Sequence, residues 1–199
     1  MAAATKTSNA MISLALPENR TTRLAIQVLL AVAGTIILTL SAKTNVPLGP
    51  VYLSLQTLAV LLIGAAFGMR LAVATVLLYL AQGAMGLPVF QGTPEKGIGL
   101  AYMAGPTGGY LLGFVVMAGI VGSAADRGWG TNPFKMFGAM LVADAIMLGL
   151  GFAWLATLIG AQAAWTAGVL PFIVPDLIKV ALASAIVPAI WSLLPKKKS

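Results

Sequence analysis

Long apolar stretches alternate along the chain with short polar or glycine- and proline-rich connections. Six apolar stretches can be separated, and they cover residues 22–41, 51–67, 71–85, 108–125, 134–159 and 169–194. None of them shows the sustained alternation of apolar and polar positions that is typical of strands, so helices are predicted rather than an outer-membrane barrel. The second and third stretches are somewhat shorter than the roughly 20 residues that cross a bilayer.

The composition places these helices in a membrane. Hydrophobic residues make up 59% of the 199 residues and charged residues only 9%, whereas soluble domains carry roughly 25% charged residues. The first stretch is longer than the apolar region of a signal peptide and is expected to be a retained helix. The sequence therefore predicts an all-α integral membrane protein with six transmembrane helices. It divides into an N-terminal segment (1–21), a transmembrane domain (22–195) and a basic tail (196–199).

Missing residue types exclude several kinds of chemistry. The chain has no histidine and no cysteine, which excludes serine–histidine catalysis, imidazole–metal sites, disulfides and thiolate nucleophiles. The acidic residues are too few and too scattered for a carboxylate-rich metal site; they are Glu18, Glu95, Asp126, Asp144 and Asp176. No GxxxxGK[ST] loop is present, so an ATP-driven process must take its motor from another chain. An enzyme is disfavoured, and no cofactor is expected.

The net charge of +7 is explained better by the orientation of the protein in the membrane than by nucleic-acid binding, because the basic residues lie at the ends of apolar spans. With a cytoplasmic N-terminus, nine of them face inward: Lys6, Arg20, Arg23, Arg70, Arg127, Lys135, Lys196, Lys197 and Lys198. Only Lys43 and Lys96 face outward, and Lys179 lies within a helix. This asymmetry predicts a protein of the cytoplasmic membrane whose two termini both lie in the cytoplasm.

That orientation makes the long connection 86–107 external. Long loops in compact proteins are often functional, and this one is rich in apolar and aromatic residues, which favours a lid over a site. Its notable side chains are Phe90, Gln91, Glu95, Lys96 and Tyr102.

Three charges lie inside predicted helices, where they indicate a function or a structural pair. Asp176 and Lys179 are three residues apart and therefore share one helix face. Pro171 and Pro175 precede them and loosen the outer end of that helix. The pair either neutralises itself inside the bundle or lines a pocket in the outer half. Asp144 has a depth from which it could reach Lys179, and a structural role is favoured for it.

Uncharged polar residues supply further candidates for the same space. Gln56 lies at the start of the second helix and Gln82 near the outer end of the third. Each taken alone is more often a satisfied helix amide than a ligand-binding group. Tyr79 and Tyr110 are more often packing or interfacial aromatics.

Three blocks of sequence resemble the BioY family, the biotin-specific substrate-binding (S) subunits of energy-coupling-factor (ECF) transporters. They are PVYLSLQTLAVLL (50–62), GLPVF (86–90) and GPTGGYLLGF (105–114). Asp176 and Lys179 match the family's Asp-x-x-Lys motif in the sixth helix. The likeness runs in order over residues 46–195, with Pro175 departing from an expected glycine.

The resemblance implies a six-helix subunit that captures biotin near the outer face. Its implied partners are a transmembrane coupling protein (EcfT- or BioN-like) and ATPase subunits (EcfA- or BioM-like), which alone would use ATP. Asp176 would accept from the ureido N–H groups, and Lys179 or Gln82 would donate to the ureido carbonyl. Lys96 would hold the carboxylate. The full implied set is Asp176, Lys179, Gln82, Lys96, Gln56, Phe90 and Tyr110.

Two alternatives remain open at this point. The chain could be an S subunit for a different vitamin in the same fold. It could also be a carrier that works without ATPase partners, although no internal repeat supports alternating access within one chain.

Overall fold

The computed structural model describes residues 10–14, 17, 19–48 and 51–193. Its helices are α1 (Arg20–Lys43), α2 (Gln56–Ala84), α3 (Gly99–Met103), α4 (Gly108–Asp126), α5 (Pro133–Ile159), α6 (Ala161–Gly168) and α7 (Ile173–Leu193). An antiparallel hairpin of β1 (Asn45–Leu48) and β2 (Val51–Ser54) joins α1 to α2. Short 3-10 helices occupy Met11–Leu14 and Trp129–Thr131. The predicted tail 196–199, Pro50 and most of segment 1–21 lie outside the described residues.

Within the described residues, five helices are long and apolar enough to cross a membrane: α1, α2, α4, α5 and α7. Large apolar side chains on their outer faces are exposed, among them Leu29, Ile36 and Ile178. Such side chains suit contact with lipid. The prediction of a helical membrane bundle is confirmed at this level, with five candidate spans where the sequence pattern indicates six.

The difference between five and six arises in α2, which reverses direction at Gly68. This residue has φ 74° and ψ 173°, and positive φ is a conformation that glycine adopts readily because it has no Cβ. Gln56 donates a hydrogen bond to Tyr79 over 3.0 Å, whereas 23 residues of straight helix would separate them by about 35 Å. The two apolar stretches predicted here are therefore two antiparallel arms, 56–67 and 69–84.

Some predicted helix bounds shift. The second helix begins at Gln56 rather than at residue 51, because residues 51–54 pair with β1. The sixth begins at Ile173 rather than at residue 169, since turns follow the short helix α6. Pro175 lies in the first turn of α7, where a missing N–H removes no intrahelical hydrogen bond.

The two ends of the bundle differ in construction. At the end that we call the closed end, Asp126 Oδ2 accepts a hydrogen bond from Met69 N over 3.1 Å. Gly122 there packs against the backbone of Met69. The opposite end, the cavity end, carries the hairpin and the connections 85–107 and 160–172. A core of buried apolar side chains joins the two ends; it includes Leu61, Val76, Met117, Val121 and Met140.

Candidate functional site

A cavity of about 190 Å³ lies at the cavity end, where α4, α5, α7 and the start of α2 meet. Its apolar walls are formed by Leu111, Phe114, Met147, Leu148, Leu155 and Phe172. Connection 86–107 contributes Gln91, Tyr102, Pro106 and Thr107 to the lining. The remaining polar groups come from Ser54, Gln56, Thr57, Tyr110, Asp176 and Lys179. A mostly apolar space with a few converging polar groups is typical of a small-molecule site.

Asp176 and Lys179 form a buried ion pair in the cavity lining. Lys179 Nζ lies 2.7 Å from Asp176 Oδ1, and the two residues are 8% and 1% exposed. The spacing of three residues in α7 puts both on one face, as the sequence predicts. Asp176 Oδ2 is buried and accepts no hydrogen bond from the described residues. The pair therefore offers one unused acceptor beside an ammonium group that carries three donors.

Asp144 is also buried, on the face of α5 that turns toward α7. It lies about one turn from Met147, but it does not itself line the cavity. Its Oδ1 has no hydrogen-bond partner among the described residues. Among these residues Lys179 pairs with Asp176 and forms no ion pair with Asp144.

Gln56 and Tyr110 both reach the cavity. Gln56 is buried at the start of α2, where its side chain contacts Tyr79 from the second arm. Tyr110 donates a hydrogen bond from its hydroxyl to Gly168 O over 2.7 Å. This contact joins α4 to the end of α6 and sets the ring of Tyr110 against the cavity.

Three predicted site residues do not line the cavity. Gln82 is half-buried near the end of α2. Phe90 is buried between two tyrosine rings: it meets Tyr79 edge-on at 5.3 Å and stacks on Tyr102 at 5.0 Å. Lys96 is exposed on connection 86–107, the segment that brings Gln91 to the cavity.

Tyr102 is a lining residue that the sequence placed only in the predicted lid. Its hydroxyl donates to Gln91 O over 2.8 Å. Burial raises the pKa of this phenol, which keeps the donor hydrogen in place. The aromatic content of connection 86–107 was the available signal for it. No comparable signal marks Met147, because apolar side chains in a membrane helix face cavities and lipid alike. Phe172 lies in the turn before α7 and carries no signal either.

Within the described ranges no group of three or more Asp or Glu residues comes together. The arrangement offers instead one carboxylate oxygen, one ammonium and several amide and hydroxyl groups. Such a set can hold a neutral polar group by hydrogen bonds.

Comparison with known proteins adds independent findings. The model of the BioY family matches residues 9–196. A probable biotin transporter BioY of Pyrococcus horikoshii is 38% identical over 142 residues, which cover 71% of this chain and 82% of that protein. Biotin transporter BioY2 of Lactococcus lactis is 35% identical, with coverage of 81% and 87%. Biotin transporter BioY of Thermotoga maritima is 36% identical, with coverage of 76% and 88%.

A solved structure has the same fold. The crystal structure of the S-component for biotin from an ECF-type ABC transporter aligns with a TM-score of 0.74 at 23% identity. The alignment covers 88% of this chain and 95% of that chain.

Proposed function

Because this chain belongs to the BioY family, we propose that it captures biotin as the substrate-binding subunit of an ECF-type transporter. The observation that carries this proposal is the buried pair of Asp176 and Lys179 in an apolar cavity. Biotin is a small apolar bicycle with a cyclic urea at one end and a carboxylate on an alkyl chain. It needs apolar walls and, for the urea, an acceptor beside a donor.

The unused oxygen of Asp176 suits a ureido N–H, and the ammonium of Lys179 suits the ureido carbonyl. Apolar side chains from α4, α5 and α7 suit the bicycle and the alkyl chain. Gln56 and Tyr110 complete the proposed site from the other walls. Lys96 is proposed to meet the carboxylate from the surface of connection 86–107, and Phe90 is proposed to support the lining residue Tyr102, on which its ring stacks. Gln82 does not line the cavity.

The test replaces the pair singly and together. Asp176→Asn should lower biotin affinity about tenfold to a hundredfold, since a hydrogen bond with a charged group contributes about 1.5–3 kcal/mol. Asp144→Asn is the matched control, a buried acid in the neighbouring helix that does not line the cavity, and it should keep its affinity. The double variant Asp176→Leu, Lys179→Met should fold and fail to bind. A stable double variant with near-native affinity would mean that the pair only neutralises itself.

An S subunit for a different vitamin is the nearest alternative. Competition between labelled biotin and other vitamins separates the two cases. A ligand without a cyclic urea leaves the buried carboxylate of Asp176 without its hydrogen-bond donor and should therefore bind more weakly. Displacement by another vitamin at lower concentration than by biotin itself would favour the alternative.

The proposed topology has six membrane crossings with both termini in the cytoplasm. It is supported by the reversal of α2 at Gly68 and by the basic residues near the closed end, Arg70, Arg127 and Lys135. The native chain has no cysteine, so single cysteines are clean probes. In intact cells an impermeant maleimide should label Glu95→Cys and leave Thr131→Cys unlabelled. The reverse pattern would overturn the orientation.

A transmembrane coupling protein and ATPase subunits are the proposed partners. The sequence has no phosphate-binding loop of the GxxxxGK[ST] type, so the purified chain should bind biotin without hydrolysing ATP. Uptake by cells that contain this chain and no such ATPase would instead identify a carrier that works alone.

A further inference from the structure

Two consecutive hydrogen bonds link the cavity to connection 86–107. Gln56, a lining residue, donates from Nε2 to the hydroxyl oxygen of Tyr79 over 3.0 Å. Tyr79 in turn donates from that hydroxyl to Val89 O over 2.9 Å. Both side chains are buried, so neither group has bulk water as an alternative partner.

The donor and acceptor types of these groups fix the direction of both hydrogen bonds. A carbonyl oxygen only accepts, so the single hydroxyl hydrogen of Tyr79 must go to Val89. The oxygen of Tyr79 can then only accept, and Gln56 must turn its NH₂ group toward it. This leaves Gln56 Oε1, to which no described residue donates a hydrogen bond, for the cavity.

The segment that contains Val89 is held in place by neighbouring hydrogen bonds. Tyr102 donates to Gln91 O over 2.8 Å, and Lys43 donates to the hydroxyl of Thr93 over 2.9 Å and also to its carbonyl. The carbonyls of residues 89, 91 and 93 are thus captured by side chains from three other elements. These contacts keep Val89 O in place beside Tyr79.

We propose that Tyr79 is a positioning residue for the ligand. It orients the amide of Gln56 so that Oε1 faces the ligand as an acceptor, and it makes that orientation depend on the position of segment 86–97. The site then requires a second N–H donor on its ligand, in addition to the one that Asp176 Oδ2 accepts. A cyclic urea has two N–H groups, so this inference rests on the proposed capture of biotin and extends it.

The experiment is a double-mutant cycle on biotin affinity. Tyr79→Phe and Gln56→Ala should each weaken binding about two- to tenfold, the range of one neutral hydrogen bond. Because Tyr79 acts through Gln56, the double variant should bind no worse than Gln56→Ala alone. Tyr110→Phe is the matched control. It removes a hydroxyl that donates to Gly168 O and does not touch segment 86–97, so its effect should add to that of Gln56→Ala.

Hydrogen exchange of residues 86–97 in the ligand-free protein is the second measurement. It should be faster in Tyr79→Phe and in Tyr102→Phe, because each frees one carbonyl of the segment. Both variants should loosen the segment, and coupling to Gln56 in affinity should be strong for Tyr79→Phe and weaker for Tyr102→Phe, which acts only through the segment.

The outcomes separate this inference from the proposed function. Additive affinity losses for Tyr79→Phe and Gln56→Ala would make Tyr79 purely structural and overturn the inference alone. Unchanged affinity in Tyr79→Phe would do the same. Wild-type protein that does not bind biotin would overturn the proposed function together with the inference.

Discussion

One glycine at the closed end, Gly122, and one at the cavity end, Gly151, lie at helix contacts but face different neighbours. At the closed end, a Cβ on Gly122 would lie 2.6 Å from the backbone N and Cα of Met69. At the cavity end, a Cβ on Gly151 would meet the ring of Tyr110. Backbone within a helix cannot move aside locally, whereas a ring at the edge of a cavity can turn.

This difference separates the two tasks of the molecule. The closed end holds the arms of α2 against α4 by close backbone contact and by the bond from Met69 N to Asp126. At the cavity end, no described residue donates a hydrogen bond to Asp176 Oδ2, which is a cost to stability that a ligand can offset. Changes at the closed end should therefore affect folding, and changes at the cavity end should affect binding.

The largest expected effect is on folding and comes from Gly122→Ala. The added methyl group collides with backbone, and overpacking of this kind costs about 1–3 kcal/mol or more. Thermal unfolding of the purified protein in lipid nanodiscs measures it. Gly149→Ala is the control, because a Cβ there meets no atom within 4 Å. Equal unfolding temperatures for both variants would contradict the rigid closed end.

Gly151→Ala should act mainly on the ligand. The methyl group displaces the ring of Tyr110, and the bond from Tyr110 to Gly168 O shifts with it. We expect biotin affinity to fall about tenfold, equivalent to about 1.4 kcal/mol, with less loss of stability than in Gly122→Ala. A large drop in unfolding temperature with unchanged affinity would erase the distinction between the ends.

The smallest expected effect concerns Asp126. Asp126→Ala removes the acceptor of Met69 N and should lower stability by about 1 kcal/mol while biotin affinity stays unchanged. Asp126→Asn keeps an acceptor oxygen and should lose less. The two variants are compared by thermal unfolding and by biotin titration. A change in affinity in Asp126→Ala would show that the ends are coupled.

Much of the fold follows from the hydrophobic pattern. The break at Gly68 falls in the connection predicted between the second and third stretches, and the spacing of Asp176 and Lys179 predicts their contact. The strand 51–54 escaped prediction because a short apolar run reads equally as helix or strand. The cavity walls could not be predicted from the sequence, because adjacent residues of the same type can face opposite sides of a helix. Leu111 is 5% exposed, whereas Leu112 is 57% exposed.

The contact of Tyr79 shows a different limit. Its sequence context indicates a packing aromatic, and its ring does pack on Phe90. Its hydroxyl, however, joins Gln56 to Val89, which lie 33 residues apart in sequence. Such a contact depends on the reversal of α2 and on the course of connection 86–107 together, so local pattern cannot reveal it.

Side chains from other elements donate hydrogen bonds to the carbonyls of residues 89, 91 and 93. The backbone path of segment 86–97 therefore does not depend on most of its own side chains. Every residue type supplies a main-chain carbonyl, and the groups that hold these three belong to Tyr79, Tyr102 and Lys43. Gln91, by contrast, lines the cavity. A substitution at Gln91 should therefore change the lining of the cavity while the backbone of segment 86–97 keeps the same path.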